Sequence, residues 1–258
     1  MRYLLFWVIG FGLIVDLASG QDISTAPTAT STPASTPSSS EARPKNRPIL
    51  MGPGENSLIN LLDGQAVGEQ SAKDQEVMFY CIVNKNGKII SSATYRASPG
   101  SDPLENELNK RLKAAVFVPA IRDYKTVDAV YYGTARFSVF NGRPRVRIFS
   151  NQQFEEVAAE SDFIGPQPYF GGDSKFLGLH YPKKANGKVN GMAELSLHVD
   201  QEGNLKEMSV TYENPAESGF GDAAIIDFTG AKFIPAFRDG EPVECTIKLP
   251  VYYQARPF

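Results

Sequence analysis

The 258-residue chain is 42% apolar and carries 26 Lys and Arg against 29 Asp and Glu, a net charge of −3, which fits one large or two small folded domains and excludes a wholly disordered protein. That balance lacks the basic excess of a nucleic-acid binder, so nucleic acid is set aside as a partner. Two Cys and two His leave few groups for metal or nucleophile chemistry, which argues against a metalloenzyme or a Cys/His hydrolase but does not exclude a carboxylate enzyme; the expectation is no catalytic residue, metal, cofactor or small-molecule substrate.

Met1 and Arg2 precede an unbroken run of apolar residues and Gly, Tyr3 to Val15, and Ala18-Ser19-Gly20 offers small residues for cleavage. This pattern predicts a signal peptide over residues 1–20 and an exported mature chain. As a helix the run rises about 20 Å, short of the roughly 30 Å hydrocarbon core, and Asp16 ends it. The alternative is an inner-membrane anchor retained through residues 3–15. Ser24 to Ser40 is drawn only from Ser, Thr, Ala and Pro, and the basic, Pro-containing run Arg43 to Pro48 follows. Such a segment has nothing to bury, so residues 21–48 are predicted to be a disordered spacer.

The folded part repeats. Phe117-Val118-Pro119-Ala120-Ile121-Arg122-Asp123 returns 116 residues later as Phe233-Ile234-Pro235-Ala236-Phe237-Arg238-Asp239. At the same offset Val83-Asn84-Lys85-Asn86-Gly87 meets Val199-Asp200-Gln201-Glu202-Gly203, both polar turns ending in Gly between alternating runs, which are hairpin signals. Ahead of each turn, Val77, Phe79, Cys81 and Val83, or Ala193, Leu195, Leu197 and Val199, share one strand face. Second strands are predicted over Ile89 to Tyr95 and Leu205 to Tyr212. Leu104, Leu108 and Leu112 then form a helical stripe after Asp102-Pro103, matched by Phe220, Ala224 and Phe228. Last strands run from Val127 to Phe137 and from Val243 to Tyr253. Each copy is therefore a β-β-α-β unit, a three-stranded antiparallel sheet with one packed helix. Pro250 cannot donate to a ladder, which makes the second copy's last strand an edge strand or a bulged one. An open edge either pairs with an extended peptide or is blocked by such a proline.

The remaining polar residues carry little chemistry. His198 lies on the polar side of its strand, and no second ligand stands at metal spacing from it or from His180. Gly52-Pro53-Gly54 reads as a turn. Cys81 and Cys245 sit on apolar faces of different copies and are expected to be buried free thiols. Arg122-Asp123 and Arg238-Asp239 read as turns with a local ion pair.

Tyr181-Pro182-Lys183-Lys184-Ala185, Gly191, Gly203, Asp222-Ala223-Ala224, Phe233-Ile234-Pro235-Ala236, Gly240-Glu241-Pro242-Val243 and Pro250-Val251-Tyr252 follow one another in order. Together they resemble the C-terminal domain of the TonB family over Tyr181 to Tyr253, with a decayed version over residues 77–137. The resemblance implies a periplasmic module that grips an extended segment of an outer-membrane transporter through its last strand. On this sequence the gripping edge is Lys248, Leu249, Pro250, Val251, Tyr252 and Tyr253, with His180 and Tyr181 in the segment beside it. It also implies, in that family, coupling to an inner-membrane proton-driven motor through an anchor.

The expected architecture is thus α+β: a signal peptide (1–20), a spacer (21–48), a diverged TonB-C-like domain (49–150) and a TonB C-terminal-like domain (151–258). Three functions stay open. The first is a non-enzymatic periplasmic binder that captures an outer-membrane or other envelope protein. The second is a motor-coupled transducer anchored through residues 3–15. The third is a structural envelope component without a peptide ligand.

Overall fold

The computed structural model describes residues 43–255; the expected signal peptide and most of the expected spacer lie outside the described residues. The described chain opens with the short strands β1 (Asn46–Arg47) and β2 (Leu50–Met51) and the helices α1 (Leu58–Leu61) and α2 (Gly64–Gln70). Next come β3 (Gln75–Val83), β4 (Ile89–Ala97), α3 (Asp102–Leu112), β5 (Phe117–Val118), β6 (Ala120–Arg122), β7 (Lys125–Phe140) and β8 (Arg143–Phe149). Helix α4 (Phe154–Ala158) and β9 (Gln167–Phe170) lead to β10 (Gly191–Val199), β11 (Leu205–Asn214) and α5 (Phe220–Phe228). The chain closes with β12 (Phe233–Ile234), β13 (Ala236–Arg238), β14 (Glu241–Val243) and β15 (Cys245–Tyr253). No helix among the described residues is long and apolar enough to cross a membrane.

The fold is α+β with mostly antiparallel sheets. Strand β3 buries every second residue, as its alternation predicts. Its hairpin closes where Asn84 Oδ1 accepts the backbone N–H groups of Asn86 and Lys88, an Asx-type turn. Asp200 does the same for Glu202 and Asn204 in the β10–β11 hairpin. Leu104, Leu108 and Leu112 form the buried stripe of α3. The helix starts at Asp102 with Ser101 as its N-cap, and Gln75 Oε1 accepts from Leu104 N–H.

The 116-residue offset reaches down to irregularities. Strands β3 and β10 start and end at matching positions, as do β5 with β12 and β6 with β13. The β3–β4 and β10–β11 ladders each shift register twice, at Met78/Phe79 and Ile82/Val83 and at Glu194/Leu195 and His198/Val199. Each shift lies at the same offset as its counterpart. A sequence that keeps bulge positions keeps the local twist they impose.

The two halves differ in their sheets. The second keeps the expected three strands in the order β11-β10-β15. The first does not: its sheet has eight strands, with β1-β6-β7-β3-β4 on one path and β8 and β9 also on β7. Strand β8 returns on β7 through Asn141-Gly142, both at positive φ (51° and 74°), the favoured pair for a tight hairpin turn. The end of the expected spacer is also folded. Asn46 and Arg47 pair with Arg122 and Ile121, Arg47 donates to the Pro119 carbonyl, and Ile49 is buried. An apolar residue directly after the basic run supplied burial that composition alone had discounted.

The Pro- and Gly-rich stretch Gly165 to Gly172 contains β9, which pairs with β7 of the first half and β12 of the second. The described residues accordingly belong to one compact unit, which spans both sides of residue 150. Ile234 and Phe237 of the second half belong to the first core. Val130 belongs to the second core, with Tyr80, Ile82 and Tyr132 packed against it.

Candidate functional site

Strand β15 has one neighbour. It pairs antiparallel with β10 from Cys245↔Val199 to Tyr253↔Gly191 without a register shift, and among the described residues its other edge has no strand. Pro250, opposite Glu194, therefore sits in an edge strand and not in a bulge. Ile247, Leu249, Val251 and Tyr253 form the inner row and are buried. Thr246, Lys248, Pro250 and Tyr252 form the outer row.

The Gln153 carboxamide fixes which backbone groups face outward. Its Oε1 accepts the Lys248 N–H and its Nε2 donates to the Lys248 carbonyl, each at 3.2 Å. In an antiparallel strand a residue whose N–H and C=O point to one side recurs every second position. Thr246, Pro250 and Tyr252 therefore also turn their backbone groups away from β10, and at Pro250 the donor is missing. The edge is covered unevenly. Thr246 and Lys248 are exposed, Tyr252 is half-buried and Pro250 is buried. The cover at Tyr252 comes from the first half: the rings of Tyr95 and Tyr252 lie 4.8 Å apart.

Several cavities flank the strand. A cleft of about 540 Å³ is lined by Arg96 and Ser98 of the first half, Gln153 and Phe154 beside α4, and Lys248 and Pro250 of β15. A second cavity, about 210 Å³, is lined by Tyr80, Tyr95, Tyr132 and Tyr252 with Phe176 and Leu179. Burial pushes the hydroxyls of Tyr80, Tyr95, Tyr132 and Tyr252 upward, so all four stay protonated. The Tyr95 hydroxyl and Gln152 Oε1 are buried without a hydrogen-bond partner.

The segment expected beside the edge lies at its C-terminal end. Leu179 and Tyr181 share a pocket with Tyr252 and Tyr253. The Tyr181 ring meets Phe220 edge-on at 5.7 Å, and Phe220 meets Tyr253 at 5.2 Å. His180 points elsewhere: its backbone N–H and Nδ1 contact the buried Asp227 carboxylate on α5 at 2.7 and 2.5 Å. His198 bonds Thr246 and Glu244 on the outer sheet face. Among the described residues no cluster of three or more His, Cys, Asp or Glu is placed to hold a metal ion. Both cysteines are free; burial pushes the Cys81 thiol up, and raises Cys245 to about 12 with Glu244 adding to the shift.

The recurrent Arg-Asp pairs do more than the local ion pair the sequence suggested. Arg122 does approach Asp123 at 3.5 Å. Its guanidinium also donates to the carbonyls of Glu202 and Phe233 in the opposite half and lies 5.7 Å from the Tyr169 ring centre. Arg238 bonds Glu156 of α4 through both terminal nitrogens and covers the Phe163 ring at 5.0 Å. That contact pins α4, and with it Gln153, beside β15. Local spacing carries no sign of the hydrogen-bond partners, which lie 80 or more residues away.

No curated protein and no solved structure matches the chain. Residues 178–255, which span Tyr181, the β10–β11 hairpin, α5 and the whole of β15, match the family model described as Gram-negative bacterial TonB protein C-terminal, so this segment is similar to that domain.

Proposed function

We propose that the chain is a non-enzymatic, exported envelope protein built from two copies of one β-β-α-β unit, the second of which grips an extended segment of an outer-membrane or other envelope protein along β15. The observation that carries this reading is the one-sided pairing of β15 among the described residues, with Thr246 and Lys248 exposed and Lys248 lining the 540 Å³ cleft. Edge pairing gives affinity through main-chain hydrogen bonds. The TonB C-terminal match supports an envelope transport role for the same segment. The matching element boundaries and register shifts of the two halves support the duplication. Of the outer row, Thr246 and Lys248 are exposed whereas Pro250 and Tyr252 are covered, so the reading moves the pairing stretch toward the start of β15, overlapping the edge expected over Lys248 to Tyr253 at Lys248.

Lys248→Pro removes the outward N–H without touching the buried inner row. Capture of outer-membrane transport proteins from envelope extracts is expected to fall at least tenfold, while Tyr212→Lys on the other edge strand leaves it unchanged. Equal capture by the Lys248→Pro variant overturns the reading.

A structural role without a peptide ligand is favoured by one observation, the occupation of the Lys248 backbone groups by Gln153. It predicts that neither substitution changes capture. Motor coupling requires that residues 3–15 stay attached. A mass beginning near Gln21 in protein recovered from envelope fractions removes it, and an intact Met1 in the inner membrane supports it.

A further inference from the structure

We infer that the Gln153 carboxamide is an intramolecular substitute for a partner's peptide group, a clip that an incoming strand displaces to pair with β15. This rests on the reading of β15 as the gripping edge and adds how that edge is kept closed. A primary amide has the donor and acceptor of a peptide bond. Gln153 presents both to one residue, accepting from the Lys248 N–H and donating to the Lys248 carbonyl. That reciprocal pair is what an antiparallel strand supplies at each hydrogen-bonded position.

The clip is built to let go. Both bonds, at 3.2 Å, are at the long end of the normal range. Gln153 precedes the five-residue α4, too short to be helical without tertiary support. Gln153 itself is held through its backbone, by Asn151 Oδ1 and Val157 N–H, while its side chain bonds only to Lys248 among the described residues. Gln152 donates to the carbonyls of Phe79 and Gly133, and Glu156 is held by Arg238 and Ser161. Side-chain rotation alone can therefore free Lys248, into the adjoining cleft. An extended peptide then replaces both bonds and adds those at Thr246, so the exchange favours a strand over the lone amide. Further along, Pro250 offers no donor, so the partner's pairing is centred on Thr246 and Lys248.

The test uses the full chain and two readouts. Site-resolved hydrogen exchange compares wild type with Gln153→Ala, and a dye-labelled peptide of the β10 sequence, Gly191 to Val199, serves as a generic strand. In Gln153→Ala the Lys248 amide is expected to exchange at least about tenfold faster, the Leu249 amide to be unchanged, and the peptide to bind about tenfold more tightly. Phe154→Ala, which leaves the clip bonds in place, is expected to behave as wild type in both readouts. An unchanged Lys248 amide overturns the clip and leaves edge capture standing. Faster exchange with equal peptide affinity overturns the gating role. No peptide binding by any variant overturns edge capture at β15, and the inference with it.

Discussion

Gly203 and Gly87 show how narrowly single residues determine each hairpin. Both adopt positive φ (82° and 79°), and a Cβ built on either would stand 2.0 Å from a backbone carbonyl, that of Phe233 or Phe117. Those carbonyls cannot withdraw, because Phe233 N–H and Phe117 N–H donate to the same two glycines. Gly203→Ala is expected to cost about 2 kcal/mol or more, measured by urea unfolding. Asp200 sets an acid limit in the same turn. Burial alone would raise its carboxyl, but hydrogen bonds from Asn204 and Lys206, with the Lys206 charge, outweigh it and hold the pKa at about 2. A group held below its unfolded value contributes stability above the unfolded pKa and loses it as pH falls through the folded one. The fall in urea midpoint between about pH 4.5 and about pH 2.5 should accordingly be smaller in Asp200→Asn, which copies the Asn84 of the first hairpin. Arg122, whose guanidinium closes two carbonyls of the opposite half, should cost about 2–3 kcal/mol when replaced by Ala, read in the same unfolding assay.

Among the elements, β15 divides into a row that holds the fold and a row that faces outward. Leu249→Ala removes a side chain from the core of the second half and is expected to cost about 2–5 kcal/mol. Thr246→Ala should stay within about 0.5 kcal/mol, and thermal unfolding distinguishes the two. The alternation that separates these rows was legible in the sequence, as were the β3 and β10 faces and the Leu104, Leu108 and Leu112 stripe, because each follows from a local period. The Asn141-Gly142 turn signal is also present in the sequence, although the 116-residue repeat ends its last strand at Phe137, ahead of that turn. Strand β9 was not legible. Gly165 to Gly172 carries linker composition, and its four-residue strand exists only because β7 and β12 offer edges to it. The same reason hid Gln153: the residue is unremarkable in sequence, and its role depends on a strand edge 95 positions away.

For the whole molecule, the exchange of core residues between halves joins two copies into one cooperative body. Val130 belongs to a strand of the first half and to the core of the second, while Ile234 does the reverse. Val130→Asp is therefore expected to lower hydrogen-exchange protection in β10 and α5, far from its own sheet neighbours. Independent halves would leave those amides protected. The same packing covers Pro250 and Tyr252, which the sequence placed on an open edge. The first half supplies Tyr95 against Tyr252 and the cleft wall at Arg96 and Ser98, so it shapes the site even though its own last strand, β7, is paired on both sides and offers no edge. The central claim is that the open edge of β15 at Thr246 and Lys248 is where a partner strand lies. The most direct measurement places a photocrosslinker at Thr246, with a second at Thr211 on β11, in cells that express the full chain. The account predicts adducts at Thr246 that map to an extended segment of an outer-membrane protein, and none at Thr211. Adducts confined to Thr211, or absent from Thr246, would contradict it.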